Sequence, residues 1–148
     1  MLEGPDRLTG LPGRFKLIRC GNCGLIRQNP RLEWESLRQY YPKDYSPYEP
    51  IIESESSIFR RFDRRYGMRK RLRAIERLQK GGRLIDVGCG TGIFLAEAER
   101  SGRWELMGVE PNLDAVRYAS QRLDCSILQA RFSEPELPTE GFDVVTMW

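Results

Sequence analysis

Three glycines at alternate positions, Gly88, Gly90 and Gly92, separate one apolar run from another. Because glycine has no Cβ, the backbone there can approach a ligand closely and can adopt the positive φ of a tight turn. Residues 83–87 before the glycines predict a buried strand, and the residues after them predict a helix whose first N–H groups face the turn. This arrangement is typical of a site for a nucleotide or nucleoside cofactor.

The residues beside the glycines narrow the class of cofactor. A dinucleotide turn reads G-x-G-x-x-G/A, and Ile93 stands where its third small residue would be. A β-branched side chain there would obstruct close packing of helix on strand, which disfavours a nicotinamide-dependent enzyme. Asp86 suits a cationic ligand group or the N–H donors of the loop, and its charge would repel a pyrophosphate. Alternatively, Asp86 is a buried carboxylate that only holds the loop together.

A second carboxylate ends the next predicted strand, 105–109. Glu110 could accept hydrogen bonds from both hydroxyl groups of a ribose, as acidic residues at this position do in nucleotide-binding folds. Alternatively it caps the helix that begins near Asn112, and the two roles are compatible.

From Gly81 to Trp148 the chain resembles the class I S-adenosylmethionine-dependent methyltransferases. The resemblance rests on three motifs in order, at residues 84–92, 106–112 and 142–148. It implies S-adenosylmethionine as the cofactor. It also implies a partial Rossmann-like α/β fold, with four parallel strands in the order 3-2-1-4 and flanking helices.

The resemblance also assigns the cofactor contacts. The glycine loop would line the methionine and ribose, Asp86 would lie near the amino group, and Glu110 would hold the ribose. Trp148 would approach the sulfonium. The loop after the third strand has no acid before Glu134, so backbone groups with Phe132 alongside would contact the adenine. The expected contacts are Asp86, Gly88, Cys89, Gly90, Gly92, Glu110, Pro111, Asn112, Ala130, Arg131 and Trp148. No catalytic base is identified.

A C-x-x-C knuckle, Cys20 and Cys23, lies in the first half. Such a turn presents two thiolates to one metal, but a structural zinc site needs four ligands. The chain has no histidine, and Cys89 and Cys125 belong to other elements. Residues 19–48 resemble the N-terminal ribbon of a bacterial subgroup of these methyltransferases that modifies sugars, cell-surface glycans or natural products. In that subgroup a first C-x-x-C precedes this one, but residues 1–15 contain none, either because the first knuckle was lost or because the chain starts late. A β-hairpin without zinc is therefore expected here.

Charge is distributed unevenly. Residues 1–80 hold 18 Lys/Arg against 10 Asp/Glu, whereas residues 81–148 hold 6 against 11. The excess of basic residues lies between residues 60 and 77. It predicts either a surface for nucleic acid or a solvated helix face, and the solvated face is favoured. Apolar residues at helical spacing predict that the other face packs on the sheet: Phe59, Phe62, Tyr66, Leu72, Ile75 and Leu78.

The expected organisation is a ribbon-like segment with a linker at 1–50 and a partial cofactor-binding domain at 51–148. A Tyr- and Pro-rich stretch at 40–50 is either a linker or a lid. The predicted elements are a hairpin at 14–28, helices at 33–41, 56–79, 92–101 and 112–122, a linker at 42–55, and strands at 83–87, 105–109, 125–129 and 142–147.

The sequence shows no signal peptide and no apolar run that could span a membrane, which predicts a cytoplasmic protein. The related fold has seven strands, so the chain resembles a fragment. Its fourth strand would form an open edge that could pair with a second copy. The leading hypothesis is methyl transfer to a small-molecule, sugar or glycan acceptor. The alternative is a truncated, inactive module that binds a cofactor or a protein.

Overall fold

A computed structural model of the chain describes residues 2–7, 10–40, 56–131 and 141–148. Contacts divide the chain into two compact units, Met1–Tyr45 and Ser46–Trp148. The boundary expected at residue 50 and the linker expected at 42–55 lie outside the described residues.

The first unit contains a three-stranded antiparallel sheet. Strand β2 (Arg14–Arg19) pairs with β1 (Leu2–Pro5) on one side and with β3 (Ile26–Gln28) on the other. A short helix α1 (Trp34–Leu37) and a 3-10 turn (Arg38–Tyr40) follow. The hairpin predicted at 14–28 is therefore present. Strand β1 was not predicted, because its four residues include a glycine and a proline and show no alternating pattern.

Tyr40 belongs to the first unit. Its hydroxyl group donates a hydrogen bond to the carbonyl of Pro12 at 2.7 Å, and its ring lies edge-on to Phe15 with centroids 5.3 Å apart. This tyrosine therefore anchors a turn of the ribbon. The other tyrosines considered for a lid lie outside the described residues.

The second unit alternates helices and strands. Its elements are α2 (Ile58–Glu76), β4 (Gly82–Val87), α3 (Ile93–Ser101), β5 (Trp104–Glu110), α4 (Leu113–Ser120), β6 (Ser126–Gln129) and β7 (Val144–Thr146). The four strands are all parallel and lie in the order β6-β5-β4-β7. This confirms the predicted α/β fold, including the 3-2-1-4 order.

The strand register sets the position of the candidate site. Asp86 on β4 is the pairing partner of Gly108 on β5 and of Thr146 on β7. Because parallel strands all end at the same edge of a sheet, the residues that follow β4, β5 and β6 meet there. The glycine turn after β4 and Glu110 at the end of β5 are thus neighbours.

Alternate residues of β4 enter different cores, as the two-residue period of a strand requires. Leu84 packs with Leu72 of α2 and Leu95 of α3, whereas Ile85 packs with Val109 and Ala130. The central strand is therefore buried on both faces, and its carboxyl end is held rigidly.

The predicted packing of α2 is wrong over much of its length. Leu72 is buried and Ile75 packs beside it, but Phe59 is 88% exposed and Leu78 is 90% exposed. Phe62 and Tyr66 are also exposed within the described part of the chain. A helix of 19 residues is about 28 Å long, whereas a strand of six residues spans about 20 Å. The helix is therefore longer than the strands on which it packs.

Among the basic residues between positions 60 and 77, Arg69 is not simply solvated. Arg69 donates to the buried carboxylate of Glu97 on α3 at 2.8 Å, and Arg100 contacts the same carboxylate at 3.1 Å. Because Glu97 is buried, losing both cations would leave an uncompensated charge. The ion pair between Arg69 and Glu97 therefore fixes α2 against α3.

Strand β7 has β4 as its partner on one side, and among the described residues no strand pairs with its other side. Val145 is exposed there. Within the described residues, β7 therefore forms an open edge of the sheet, as predicted for the fourth strand. That a second copy pairs with this edge stays a prediction. In the described segments, none of the helices has the length and apolar character needed to cross a membrane.

Candidate cofactor-binding site

The turn between β4 and α3 is left-handed at all three of its glycines. Their φ angles are 75° at Gly88, 56° at Gly90 and 79° at Gly92. Residues with a Cβ adopt such angles only at a cost of about 1–2 kcal/mol each, so the conformation explains why glycine is needed three times.

Gly88 and Gly92 differ in their surroundings. A Cβ added to Gly88 would meet no heavy atom within 4 Å, whereas one added to Gly92 would lie 2.5 Å from Cδ1 of Leu123 and 3.4 Å from Cβ of Ala119. Gly92 therefore allows the loop to pack against the end of α4. Gly88 leaves open space beside the loop, where a ligand could lie.

The loop is held by the carboxyl end of β5. The carbonyl of Val109 accepts hydrogen bonds from the N–H groups of Gly88 at 2.7 Å and Cys89 at 3.0 Å. The N–H of Gly92 donates to the carbonyl of Cys89 at 2.9 Å. These amides are already paired with protein acceptors. No side chain caps the N-terminus of α3, so its first-turn N–H groups face the loop.

Glu110 links the glycine loop to the start of α4. Its side chain is 3% exposed, Oε2 accepts from the N–H of Gly90, and Oε1 accepts from the N–H of Asn112, both at 2.9 Å. Asn112 itself caps α4, because its Oδ1 accepts from the N–H groups of Asp114 and Ala115. Glu110 therefore shapes the turn before the helix and ties it to the glycine loop.

Asp86 is the second carboxylate at this edge. It is 2% exposed, and its Oδ1 accepts a hydrogen bond of 2.6 Å from the Thr146 hydroxyl group. Burial raises the pKa of Asp86 to about 6, although the Thr146 hydrogen bond and the charge of Arg71 oppose the rise. The folded protein therefore binds a proton at Asp86 over a pH range in which an unfolded chain would not.

This raised pKa predicts that Asp86 makes the protein less stable as pH rises. An unfolded aspartate titrates near 3.8 and the folded one near 6, so between these values the folded state binds more protons. Rising pH then favours unfolding, by about 3 kcal/mol over the full window. Asp86→Asn keeps an acceptor for Thr146 and removes the titration. Urea unfolding at about pH 4 and about pH 7 should show a smaller fall in stability for the variant than for the wild type. Equal falls in the two proteins would contradict the assignment.

An aromatic pair borders the loop. Phe94, in the first turn of α3, is buried and lies edge-on to Trp148 with ring centroids 5.6 Å apart. The guanidinium carbon of Arg71 lies 4.7 Å from the centroid of the Trp148 ring. Trp148 therefore stands beside the glycine loop with a cation on its ring, and its contact with a sulfonium stays a prediction.

A sequence profile of the family described as "Methyltransferase domain" matches residues 59–148, which is more than half of the chain. The chain belongs to this methyltransferase family. The match confirms the resemblance seen in the sequence and includes α2 as well as the glycine loop.

Two curated relatives resemble the methyltransferase chain over part of their length. The ribosomal protein L11 methyltransferase of Ralstonia nicotianae is 35% identical over 71 residues, which cover 47% of this chain and 24% of the relative. The rRNA N(6)-adenosine-methyltransferase metl-5 of Caenorhabditis elegans is 33% identical over 78 residues, which cover 46% of this chain and 36% of the relative. The chain thus spans about a quarter to a third of these relatives.

Among solved structures, the plantazolicin methyltransferase BpumL, in complex with a triazolic desmethylPZN analog and SAH, has the same fold. Its TM-score is 0.51 at 14% sequence identity, with 75% of this chain and 43% of that chain covered. The similarity shows the Rossmann-like methyltransferase architecture.

In the methyltransferase domain, the side chain of Cys89 faces away from the open space. It belongs to the core cluster with Leu84 and Leu95, and burial raises the pKa of its thiol strongly. The Sγ atom of Cys89 packs against Gly108 of β5, because a Cβ added to Gly108 would lie 2.7 Å from it. A cofactor contact at Cys89 would therefore use its backbone, and this contact stays a prediction.

The predicted adenine contacts are only partly described. Ala130 is buried just beyond the end of β6 and Arg131 is exposed, while Phe132 and Glu134 lie outside the described residues. Pro111 precedes the Asn112 cap. These contacts stay predictions.

The knuckle residues Cys20 and Cys23 lie in the turn between β2 and β3. The N–H groups of Cys23 and Asn22 lower the pKa of the Cys20 thiol. Within the described ranges, no cluster of three or more metal-ligating side chains is present.

Sequence reasoning missed two residues of the site. Thr146 could have been found by aligning the ends of the first and fourth strands, since it pairs with Asp86 in register. Arg71 was predicted to be one of the solvated basic residues of the helix. Only the packing of α2, which brings its guanidinium group onto the Trp148 ring, shows otherwise.

Proposed function

We propose that the chain binds S-adenosylmethionine at the carboxyl edge of its sheet and presents the methyl group for transfer to an acceptor. The observation that carries this proposal is Glu110. Its buried carboxylate joins the glycine loop to the turn after β5, beside the open space at Gly88.

The residues present fit this cofactor. Its ribose offers two hydroxyl donors, and the two carboxylate oxygens of Glu110 are acceptors. Its amino group is cationic, which suits the acceptor Asp86. The hydroxyl group of Thr91, inside the loop, is shielded from solvent and has no hydrogen-bond partner among the described residues. A ligand that reaches this hydroxyl group would give it a hydrogen-bond partner.

The chain's own contribution to the reaction is to bind and orient. When bound, the cofactor supplies an electrophilic methyl group on a sulfonium. The rigid end of β4 and the loop hold the methionine part in one position, which lowers the entropic cost of alignment. At neutral pH Asp86 is mostly ionised and accepts a hydrogen bond from Thr146. The aromatic face of Trp148 can stabilise a nearby cation.

For the acceptor we propose a small molecule, sugar or glycan. The support is the resemblance of residues 19–48 to the ribbon of a subgroup with such acceptors. The curated relatives bear the names of ribosomal protein and rRNA methyltransferases, so a macromolecular acceptor is the second candidate, and the basic residues of α2 would suit RNA. The non-enzymatic alternative is a module that only binds the cofactor. A methyl-transfer assay separates it, because such a module would bind without turnover.

Calorimetry with S-adenosylmethionine and S-adenosylhomocysteine tests the proposed cofactor. We expect the wild type to bind both and Gly90→Arg to bind neither, because an arginine side chain would obstruct the loop. Gly102→Arg is the matched control, since Gly102 has a similar φ of 65° at the far end of α3. It should bind like the wild type. A folded wild type that binds neither ligand, or equal binding by Gly90→Arg, would overturn the proposal.

A further inference from the structure

Two thiols meet in the turn between β2 and β3 of the first unit. Cys20 directly follows β2 and is half-buried, and Cys23 is exposed. The backbone fixes this turn, because the N–H of Gly24 donates to the carbonyl of Cys20 at 3.0 Å and the N–H of Cys20 donates to the carbonyl of Leu25 at 2.8 Å. Gly24 is left-handed, with a φ of 76°. The hairpin therefore holds both cysteines on one tight turn.

The contacts of the Cys20 sulfur favour its thiolate form. The sulfur accepts hydrogen bonds from the N–H groups of Cys23 and Asn22 and from the thiol of Cys23, and these donors lower the pKa of the Cys20 thiol. The thiolate is the form of cysteine that attacks another sulfur atom. The sulfur of Cys23 thus lies within hydrogen-bonding distance of a nucleophile, and because Cys23 is exposed, a reagent in solution can reach the pair.

Two sulfurs alone do not complete a structural metal site. A structural zinc ion takes four ligands, and in the described part of the chain no third histidine, cysteine, aspartate or glutamate joins Cys20 and Cys23. Two sulfurs do suffice for thiol–disulfide exchange, which needs one attacking thiol and one resolving thiol. The geometry of the turn supplies both.

We propose that Cys20 and Cys23 form a redox-active dithiol whose substrates are low-molecular-weight disulfides such as glutathione disulfide. The Cys20 thiolate attacks one sulfur of the substrate, so that a mixed disulfide forms and one substrate thiolate leaves. Cys23 then gives its proton to solvent and attacks the Cys20 sulfur, and the second substrate thiolate leaves. The dithiol loses two electrons and the substrate becomes two thiols. Because the two sulfurs already lie within hydrogen-bonding distance, the second step is intramolecular and faster than return of the first thiolate.

Oxidation of the full chain by glutathione disulfide at about pH 7 tests the proposal. The remaining thiols are alkylated in denaturant, and the peptides are analysed by mass spectrometry. We expect a disulfide between Cys20 and Cys23 that dithiothreitol reverses. Cys23→Ser should stop with one glutathione on Cys20, because the resolving thiol is missing, and Cys20→Ser should react at least about tenfold more slowly than the wild type.

Cys125 is the control within the same chain. Burial raises the pKa of its thiol to about 11, so it should stay reduced, and Cys125→Ser should oxidise like the wild type. The proposal is overturned if Cys20 and Cys23 both stay free in the oxidised wild type, or if Cys20→Ser reacts as fast as the wild type. About one zinc ion per two chains that protects both thiols would also overturn it, because the cysteines would then belong to a metal site shared by two copies. The reaction uses no methyltransferase ligand, so its failure would leave the proposed function intact.

Discussion

Replacing Glu110 with glutamine is expected to reduce the affinity for S-adenosylhomocysteine by more than about a hundredfold and to destabilise the fold by about 2–3 kcal/mol. Both carboxylate oxygens accept backbone N–H groups, from Gly90 and from Asn112. Glutamine has one acceptor oxygen, so its NH2 group would face one of those donors. The unpaired donor would be buried, and the loop would lose its link to α4.

Glu105→Gln provides the matched control for this prediction. Glu105 lies on the same strand, but its side chain is 73% exposed and forms an ion pair of 3.3 Å with Arg83. An exposed pair contributes about 0–1 kcal/mol, so urea unfolding and calorimetry should give nearly wild-type values. If Glu110→Gln were as stable and bound as tightly as Glu105→Gln, Glu110 would hold neither the loop nor the ribose.

The second large effect is a contrast between two glycines of one turn. Gly92→Ala is expected to destabilise the fold by about 2–5 kcal/mol, because a left-handed φ and a clash with Leu123 add together. Gly88→Ala has a similar φ and open space around the new methyl group, so only the backbone term of about 1–2 kcal/mol should remain.

In the variants Gly88→Ala and Gly92→Ala, the loss of ligand affinity should not follow the loss of stability. The methyl group of Gly88→Ala would occupy the open space beside the loop, and affinity for S-adenosylhomocysteine should fall by at least about tenfold although the protein remains folded. Thermal unfolding and calorimetry on both variants check this contrast. Equal destabilisation by the two changes would contradict the clash between Gly92→Ala and Leu123. Unchanged affinity in Gly88→Ala would show that the open space is not where the ligand lies.

The sequence predicted the turn but not this division of roles. Alternate glycines after an apolar strand indicate a left-handed loop, and all three have positive φ. The difference between Gly88 and Gly92 arises from Leu123 and Ala119, which reach the loop only through the packing of α4. A local pattern contains no information about such distant neighbours.

The same limit applies to the two residues that sequence reasoning missed. Asp86 was predicted at the end of its strand, but its partner Thr146 follows from the register of β7 on β4. For α2 the helical period was correct, yet the period cannot tell how far the helix extends past the strands. Phe59 and Phe62 were therefore predicted to be buried and are exposed, whereas Arg71 was predicted to be solvated and packs on Trp148.

We propose that the cofactor lies between the glycine loop and the turn after β5. Titration of S-adenosylhomocysteine into ¹⁵N-labelled protein, followed at each backbone amide, tests this directly. We predict that the largest saturable shifts occur at Gly88, Gly90 and Asn112, whose amides surround Glu110 and the open face of the loop. Binding that leaves these three amides unchanged while shifting others would contradict the account.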